Sequence, residues 1–458
     1  MVVDDALICI FSFLSLRDWL ILEGVSQRWM SLLRNQWRQL RSVTLDELVE
    51  PTVTNPFAYD FPIKIKHLKT NAIQKLLDRC GGGGNIRAIR SGQKLKLDAE
   101  AITLFAANCP NLRTLDLSNA ILLSDDLDNF AVGRTFPLVQ ELIMENSFDE
   151  SAVSYHDSTT VEPLLFKILA SLPNLRKLSL GYDTMVTGNS LLGVNNKLGW
   201  LNLAFCRRIP TDVLTLACNQ LSNLRYISLY SCHKLGPGVL GSLATTLEGV
   251  DLGFCSGFDA ISLKTFIQQH QNLGSLFISH VDGMTNEVLV EISQLEKLQH
   301  LALGSYYSKC KFTAANPQFL HPTDLQEGFR TLCSRLVGLV SLDLSMNFFI
   351  DDICLSSLAF NCPSLEDLNV SHLVNCTANG FMQLAQLHKL ERLDVSKNDQ
   401  INAAVILALA SNENLQFVNA HGCGAITSDV VRRVKQILPG NKTDFHVQMF
   451  FEMFVDDF

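Results

Sequence analysis

The chain has 458 residues, 47% of them hydrophobic and 18% charged, which suffices for a large packed core and excludes a disordered chain. Its 37 basic and 46 acidic residues leave a net charge of −9, against the basic surplus of nucleic-acid coats and membrane-surface proteins. No apolar run reaches the ~20 residues that a membrane-spanning helix needs.

The first forty residues carry helical spacing. Leu7, Ile8, Phe11 and Leu14 share a helix face, and Leu22, Val25, Trp29, Leu33, Trp37 and Leu40 recur every three or four residues. Leu16-Arg17-Asp18 separates the two runs. Ala6 to Leu16 is as apolar as a signal-peptide core, but Asp4 and Asp5 precede it and no small-residue cleavage site follows, so it is read as helix. A small all-α module with more large apolar side chains than three short helices can bury predicts a partner surface. Residues 43–71 read as a joining segment, with Val43–Leu45 and Ile63–Ile65 as candidate irregular strands.

A repeat dominates the rest. The pattern L-x-x-L-x-L opens units at Leu112, Leu175, Leu198, Leu224, Leu247, Leu273, Leu298, Leu339, Leu365 and Leu390, with weaker copies at Ile86, Val139 and Leu415. The spacing stays near 26 residues, the signature of leucine-rich repeats. The ninth position holds Cys206, Cys232, Cys255, Cys423, Asn347 and Asn398, with Ser147 and Asp183 elsewhere. A small side chain able to bond the loop backbone is expected where the chain turns inward after the strand. Each unit then needs a helical stretch, such as Ala99–Asn108 closed by Cys109-Pro110 or Asp352–Asn361 closed by Cys362-Pro363.

The fold class follows: α/β, a leucine-rich-repeat solenoid over residues 72–447, with a parallel sheet on its concave side, helices on its convex side and a helical module over 1–42. Two units are long and carry insertions near 148–163 and 306–323; these are either tolerated loops or walls beside a binding surface. Phe445–Val447 reads as a closing strand, and 448–458 as an aromatic, acidic tail. The odd count of thirteen cysteines, scattered through apolar segments, fits reduced thiols and a cytoplasmic or nuclear protein.

Asp5-Ala6-Leu7-Ile8-Cys9-Ile10-Phe11-Ser12-Phe13-Leu14, then Leu16-Arg17-Asp18, then Val25-Ser26-Gln27-Arg28-Trp29 resembles the F-box motif. Followed by cysteine-containing repeats, and by Arg79-Cys80-Gly81-Gly82 at their entry, the whole chain is similar to the F-box/leucine-rich-repeat family. Val2-Val3 stands where that family has Leu-Pro, which predicts a frayed first turn. The resemblance implies a substrate adaptor of a Skp-cullin-F-box ubiquitin ligase, with an F-box that docks on the Skp-type linker protein of the cullin scaffold. Leu7, Ile8, Phe11, Phe13, Leu14, Leu20, Val25 and Trp29 would form that docking module. The repeats would hold a protein substrate for ubiquitin transfer and proteasomal degradation. The alternative is an interaction scaffold, not linked to a ligase, whose N-terminal helices only cap the solenoid.

The in-between positions of the middle units give Tyr182, Trp200, Phe205, Tyr226, Tyr230, Phe254, Phe277 and His280 on the expected concave face. Exposed aromatics in a row either contact a partner or pack on one another. Arg87, Arg113, Arg176 and Arg225 make a basic edge early, and Asp343, Glu366, Asp367, Glu391 and Asp394 an acidic one late; such a gradient either orients a partner or is simply solvated. Gly253-Phe254-Cys255-Ser256-Gly257 imitates a nucleophile elbow, but Cys255 is in register with the other ninth-position thiols and reads as a buried ladder residue. Gly81–Gly84 lacks the Lys-Ser/Thr of a phosphate loop and reads as a joint. No C-x-x-C pair occurs. The chain is therefore read as a non-enzyme with no metal and no cofactor, bound to neither nucleic acid nor membrane.

Overall fold

The computed structural model describes residues 4–48, 66–92, 95–97, 99–121, 136–148, 158–304, 322–437 and 446–448. The chain divides into two compact units, Met1–Ser228 and Leu229–Phe458. Within each, the architecture is that of a leucine-rich-repeat solenoid.

The first unit opens with three helices, α1 (Asp4–Ser12), α2 (Leu16–Leu22) and α3 (Gln27–Gln39). Ser15 and Asp18 form a capping box that starts α2, and Ser26 caps α3 by accepting from the Trp29 N–H. A parallel sheet follows, from β1 (Ser42–Thr44) through β3 (Ala88–Arg90), β5 (Thr114–Asp116), β7 (Glu141–Ile143), β8 (Lys177–Ser179) and β9 (Trp200–Asn202) to β10 (Tyr226–Ser228). A second small sheet joins β2 (Lys66–Leu68), β4 (Leu95–Leu97) and β6 (Ala120–Ile121). The second unit carries β11 (Gly249–Asp251), β12 (Ser275–Phe277), β13 (His300–Ala302), β14 (Ser341–Asp343), β15 (Asp367–Asn369), β16 (Arg392–Asp394), β17 (Phe417–Asn419) and β18 (His446–Gln448), all parallel and in sequence order.

Register explains why the leucines recur. Leu178 pairs Leu201, and Leu342 pairs Leu368, so each fourth position stacks on the next. First, fourth and sixth positions, such as Leu175, Leu178 and Leu180 or Leu365, Leu368 and Val370, are fully buried. Each such leucine contributes about 2–5 kcal/mol against replacement by alanine. The backbone repeats too: Arg176 and Lys177 both donate to the Gln140 carbonyl, as Glu366 and Asp367 do to Val340.

Three expectations are corrected. The sheet starts at β1, where a strand was expected at Val43–Leu45, but as a regular member of the repeat and not of a joining segment, because Leu40-Val43-Leu45 is itself a unit opening: Arg87 and Ala88 donate to Arg41 just as later units do. Not every unit returns through an α-helix. The two units spaced 23 residues apart, at Leu175 and Leu224, use short 3-10 helices, Asn189–Gly193 and Pro237–Ser242, where three fewer residues shorten the return. The insertion expected near 148–163 is helical from Ser158, within the helix Ser158–Ala170. Gly81–Gly84 is a turn whose conformation requires glycine. Gly81, Gly82 and Gly83 all have positive φ, and a Cβ on Gly83 would lie 2.9 Å from the Asn108 carbonyl.

Residues 149–157, 305–321 and 449–458, with Val2, Val3, Ile63–Ile65 and Phe445, lie outside the described residues. No helix among the described residues is long and apolar enough to cross a membrane.

Candidate functional site

The N-terminal module is built around aromatic edges. Phe11 is buried and meets Trp29 edge-on at 5.4 Å, and Trp19 meets Trp37 at 5.0 Å. Trp19 Nε1 donates to the Phe11 carbonyl (2.7 Å), locking α2 to α1, and Trp37 Nε1 donates to Glu23 (2.8 Å). Glu23 also holds Arg79 (3.1 Å), while Glu47 accepts from the Leu16 N–H (2.7 Å). These bonds tie the helices to the first repeat.

That core sorts the expected docking residues. Leu7 and Phe11 are buried in the module and are corrected to core positions. Ile8, Leu14 and Trp29 are half-buried. Phe13 (84% exposed), Leu20 and Val25 face outward. Ile10 and Ile21 (62% exposed) join them, two residues that helical spacing does not single out. Among the described residues, five large apolar side chains within residues 10–25 are thus exposed, a concentration that marks interaction surfaces.

The second candidate region is the turn that leaves each strand, and it has three parts. At the fifth position of many units, though not those with Ile143, Ser179, Ser228, Phe277 or Ala302 there, an Asp or Asn side chain accepts the N–H two residues on: Asn202 from Ala204 (2.9 Å), Asp251 from Gly253 (2.9 Å), Asp394 from Ser396 (2.8 Å). The eighth residue then adopts positive φ. In the first unit these are Asn119, Asn146, Tyr182 and Phe205; in the second, Ser231, Phe254, His280, Met346, His372, Lys397 and Gly422. Where the ninth side chain is Cys or Asn, it turns inward and bonds the preceding unit's sixth carbonyl. Cys206 donates to Leu180 (3.0 Å), Cys255 to Leu229 (3.0 Å), Cys423 to Val395 (3.2 Å) and Asn347 to Leu303 (2.9 Å).

This turn re-sorts the expected concave aromatics. Trp200, Tyr226 and Phe277 lie on strands. Tyr182, Phe205, Phe254 and His280 leave from the left-handed turn, and Tyr230 from the position before it. These five therefore leave the chain after the strand rather than on it. In the first unit Tyr182 stacks on Phe205 (4.6 Å, 22°), Arg207 lies over Phe205 (5.4 Å) and Lys177 over Trp200 (4.4 Å). In the second, Phe254 packs between Tyr230 (5.1 Å) and His280 (3.9 Å). A Cβ on Gly253 would come within 2.8 Å of the Tyr230 ring, so glycine there admits the close approach. Burial pushes the His280 pKa down to about 4.

A cleft of about 540 Å³ opens beside the first of these stacks, lined by Asn119, Glu145, Asn146, Tyr182, Thr184, Phe205 and Arg207, within the size range of ligand sites. Cys255 carries no chemistry here: it is fully buried, with its thiol pushed up to about 12 by burial. Among the described residues no group of three His, Cys, Asp or Glu side chains is placed to hold a metal. Arg87, Arg113, Arg176 and Arg225 are exposed. The late acidic row is corrected in part: Asp343 and Asp394 serve the strand-exit turn and Asp367 pairs with Arg392, leaving Glu366 and Glu391 exposed.

No protein-family profile matches the chain. It is 20% identical over 436 residues, 94% of its length, to a protein of Caenorhabditis elegans described as putative RNA-binding protein EEED8.10, and covers 47% of that protein. Over 85 residues, 19% of its length, it is 31% identical to F-box/LRR-repeat protein 4 of Bos taurus, covering 14% of it. The chain thus spans less than half the length of these curated relatives. Among solved structures, an internalin of Listeria monocytogenes covers 88% of the chain, and the chain covers 94% of it, at 15% identity and a TM-score of 0.45. A leucine-rich-repeat protein of Leptospira interrogans covers 92% of the chain, and the chain covers 98% of it, at 16% identity and a TM-score of 0.42.

Proposed function

We propose that the chain is the substrate-recognition adaptor of a Skp-cullin-F-box ubiquitin ligase. The observation that carries the reading is the exposed apolar set Ile10, Phe13, Leu20, Ile21 and Val25 on a helical module whose buried core is formed by other residues, Leu7, Phe11, Leu16, Trp19, Leu33 and Trp37. A module that only capped the solenoid would turn its large side chains inward, as Leu33 and Trp37 do. The F-box-like order of residues 5–29 and the local identity to an F-box/LRR-repeat protein support the same reading.

In this reading the helices bind the Skp-type linker protein and the repeats hold a protein target. The adaptor makes and breaks no bonds. It raises the effective concentration of target lysines near a loaded conjugating enzyme. The turn edge, with its aromatic rows, is the surface best suited to the target. The name of the Caenorhabditis elegans protein raises a second reading, RNA binding, which the chain's charge of −9 disfavours.

The test is co-purification of the full chain with the Skp-type linker protein, beside the double variant Phe13→Asp, Ile21→Asp. Both substitutions fall on exposed side chains, so the fold is retained. A complex formed by the wild type and lost in the variant is the expected result. A folded wild type that never binds the linker protein overturns the reading and leaves the scaffold.

A further inference from the structure

The eighth-position row of the first unit changes size midway. Asn119 and Asn146 are small; Tyr182 and Phe205 are large. Consecutive strands bring these residues into one file, with the Asn146 N–H donating to Gly181 and the Tyr182 N–H to Ala204. Phe205 covers one face of Tyr182, and Arg207 lies over the Phe205 ring. Asn146, the preceding residue of the file, lines the cleft beside Tyr182, and its short side chain bonds Asn119 (2.9 Å). The cleft is thus a stack with one layer missing, and Tyr182 remains 51% exposed beside it.

The groups around that missing layer specify its filling. Glu145 presents a carboxylate whose Oε1 accepts from Ser179 Oγ and from Asn202 Nδ2 (3.0 Å). Those two bonds fix the group, and among the described residues no donor reaches Oε2. Thr184 lines the same cleft, and its Oγ1 is buried with no hydrogen-bond partner, an arrangement that costs free energy unless a ligand meets it. A flat cation that stacks on an aromatic face and offers several N–H donors in one plane meets all three demands, and the guanidinium of arginine is that group. A nucleobase would also stack, but would bring phosphates towards Glu145, while the nearby cations Arg207 and Lys177 are already laid over Phe205 and Trp200.

We propose that the cleft between Glu145 and Tyr182 binds an arginine side chain of the partner polypeptide. This rests on the reading that the repeats hold a protein partner, and not on what the N-terminal helices dock to.

The probe is a display library of random dodecapeptides, selected on the purified full chain and counter-selected on the double variant Glu145→Gln, Tyr182→Gly. Glutamine keeps the Oε1 acceptor for Ser179 and Asn202, and glycine suits the positive φ of residue 182 (63°), so the variant keeps the backbone. The expected peptides share an arginine. Replacing it by citrulline, which keeps the shape and loses the charge, weakens binding to wild type about 10- to 100-fold and leaves binding to a Glu145→Gln chain unchanged. Selection of no peptide, selected peptides that bind the double variant equally well, or peptides indifferent to citrulline overturn the proposal. So does a fluorescent oligouridylate that binds wild type and fails on the double variant, which would make the cleft a nucleobase site. Peptide binding that survives Phe13→Asp, Ile21→Asp separates a failure of this site from a failure of linker docking.

Discussion

Replacing Asn398 probes the strand-exit turn on which the whole repeat depends. Asn398 is buried; its Nδ2 donates to the carbonyls of Val370 and Val395, both at 2.9 Å, and its Oδ1 accepts from the Leu373 N–H at 2.6 Å. Alanine removes all three bonds. The Val395 carbonyl keeps the Cys423 thiol at 3.2 Å, so two groups, the Val370 carbonyl and the Leu373 N–H, are stranded. At about 1–2 kcal/mol for each buried unsatisfied group, Asn398→Ala costs about 2–4 kcal/mol, a large part of the ~5–15 kcal/mol that holds a typical domain. Cysteine, which other units place there, restores one donor for Val370 and nothing for Leu373, so Asn398→Cys costs about half as much. Urea unfolding of the second unit, followed by hydrogen-exchange mass spectrometry, reads both: the midpoint falls in the order Asn, Cys, Ala. A loss below about 1 kcal/mol for alanine, or cysteine as costly as alanine, would refute this account of the turn.

Lys397→Gly relieves a left-handed residue (φ 55°) at the place where the following unit already has Gly422, and raises stability by about 0.5–1 kcal/mol, whereas Lys397→Val lowers it; the same unfolding assay checks both signs. The His280 pKa lies near 4 in the fold because burial disfavours its cation, against ~6.5 unfolded. The unfolded chain therefore takes up the proton first, and this contribution to stability is whole above pH 6.5 and is lost as pH falls through 4. His280→Asn, which tolerates the same turn, removes that part of the slope; identical wild-type and variant slopes would contradict it. In native protein Cys9, which is exposed, labels rapidly with a thiol reagent, while Cys255 labels only on unfolding, read by peptide mass mapping.

What was legible in the sequence follows the physics of repetition. Leucines at three fixed positions are read easily because each must be buried, and the ninth-position Cys and Asn because one carbonyl per unit demands a donor. The left-handed eighth position was not read, since aromatic residues occupy it in the middle units and φ leaves no mark in hydrophobic spacing. Asn119, Asn146 and Gly422, residues that tolerate positive φ, were the signal. The opening unit at Leu40 was missed because Val43 stands for a leucine and the N-terminal helical spacing runs into it. Spacing separates Phe11 from Phe13, two residues on, but not which side is covered: Phe11 is core because the Trp29 edge packs on it, and Phe13 is surface.

The central claim is that the N-terminal helices are a docking module. Its most direct test is a calorimetric titration of the Skp-type linker protein into the full chain, wild type and Phe13→Asp, Ile21→Asp, at matched folding. The account predicts saturable one-to-one binding that weakens at least ~30-fold in the variant, as the loss of a buried apolar anchor requires. Equal binding by both chains, or no heat from a folded wild type, would contradict it.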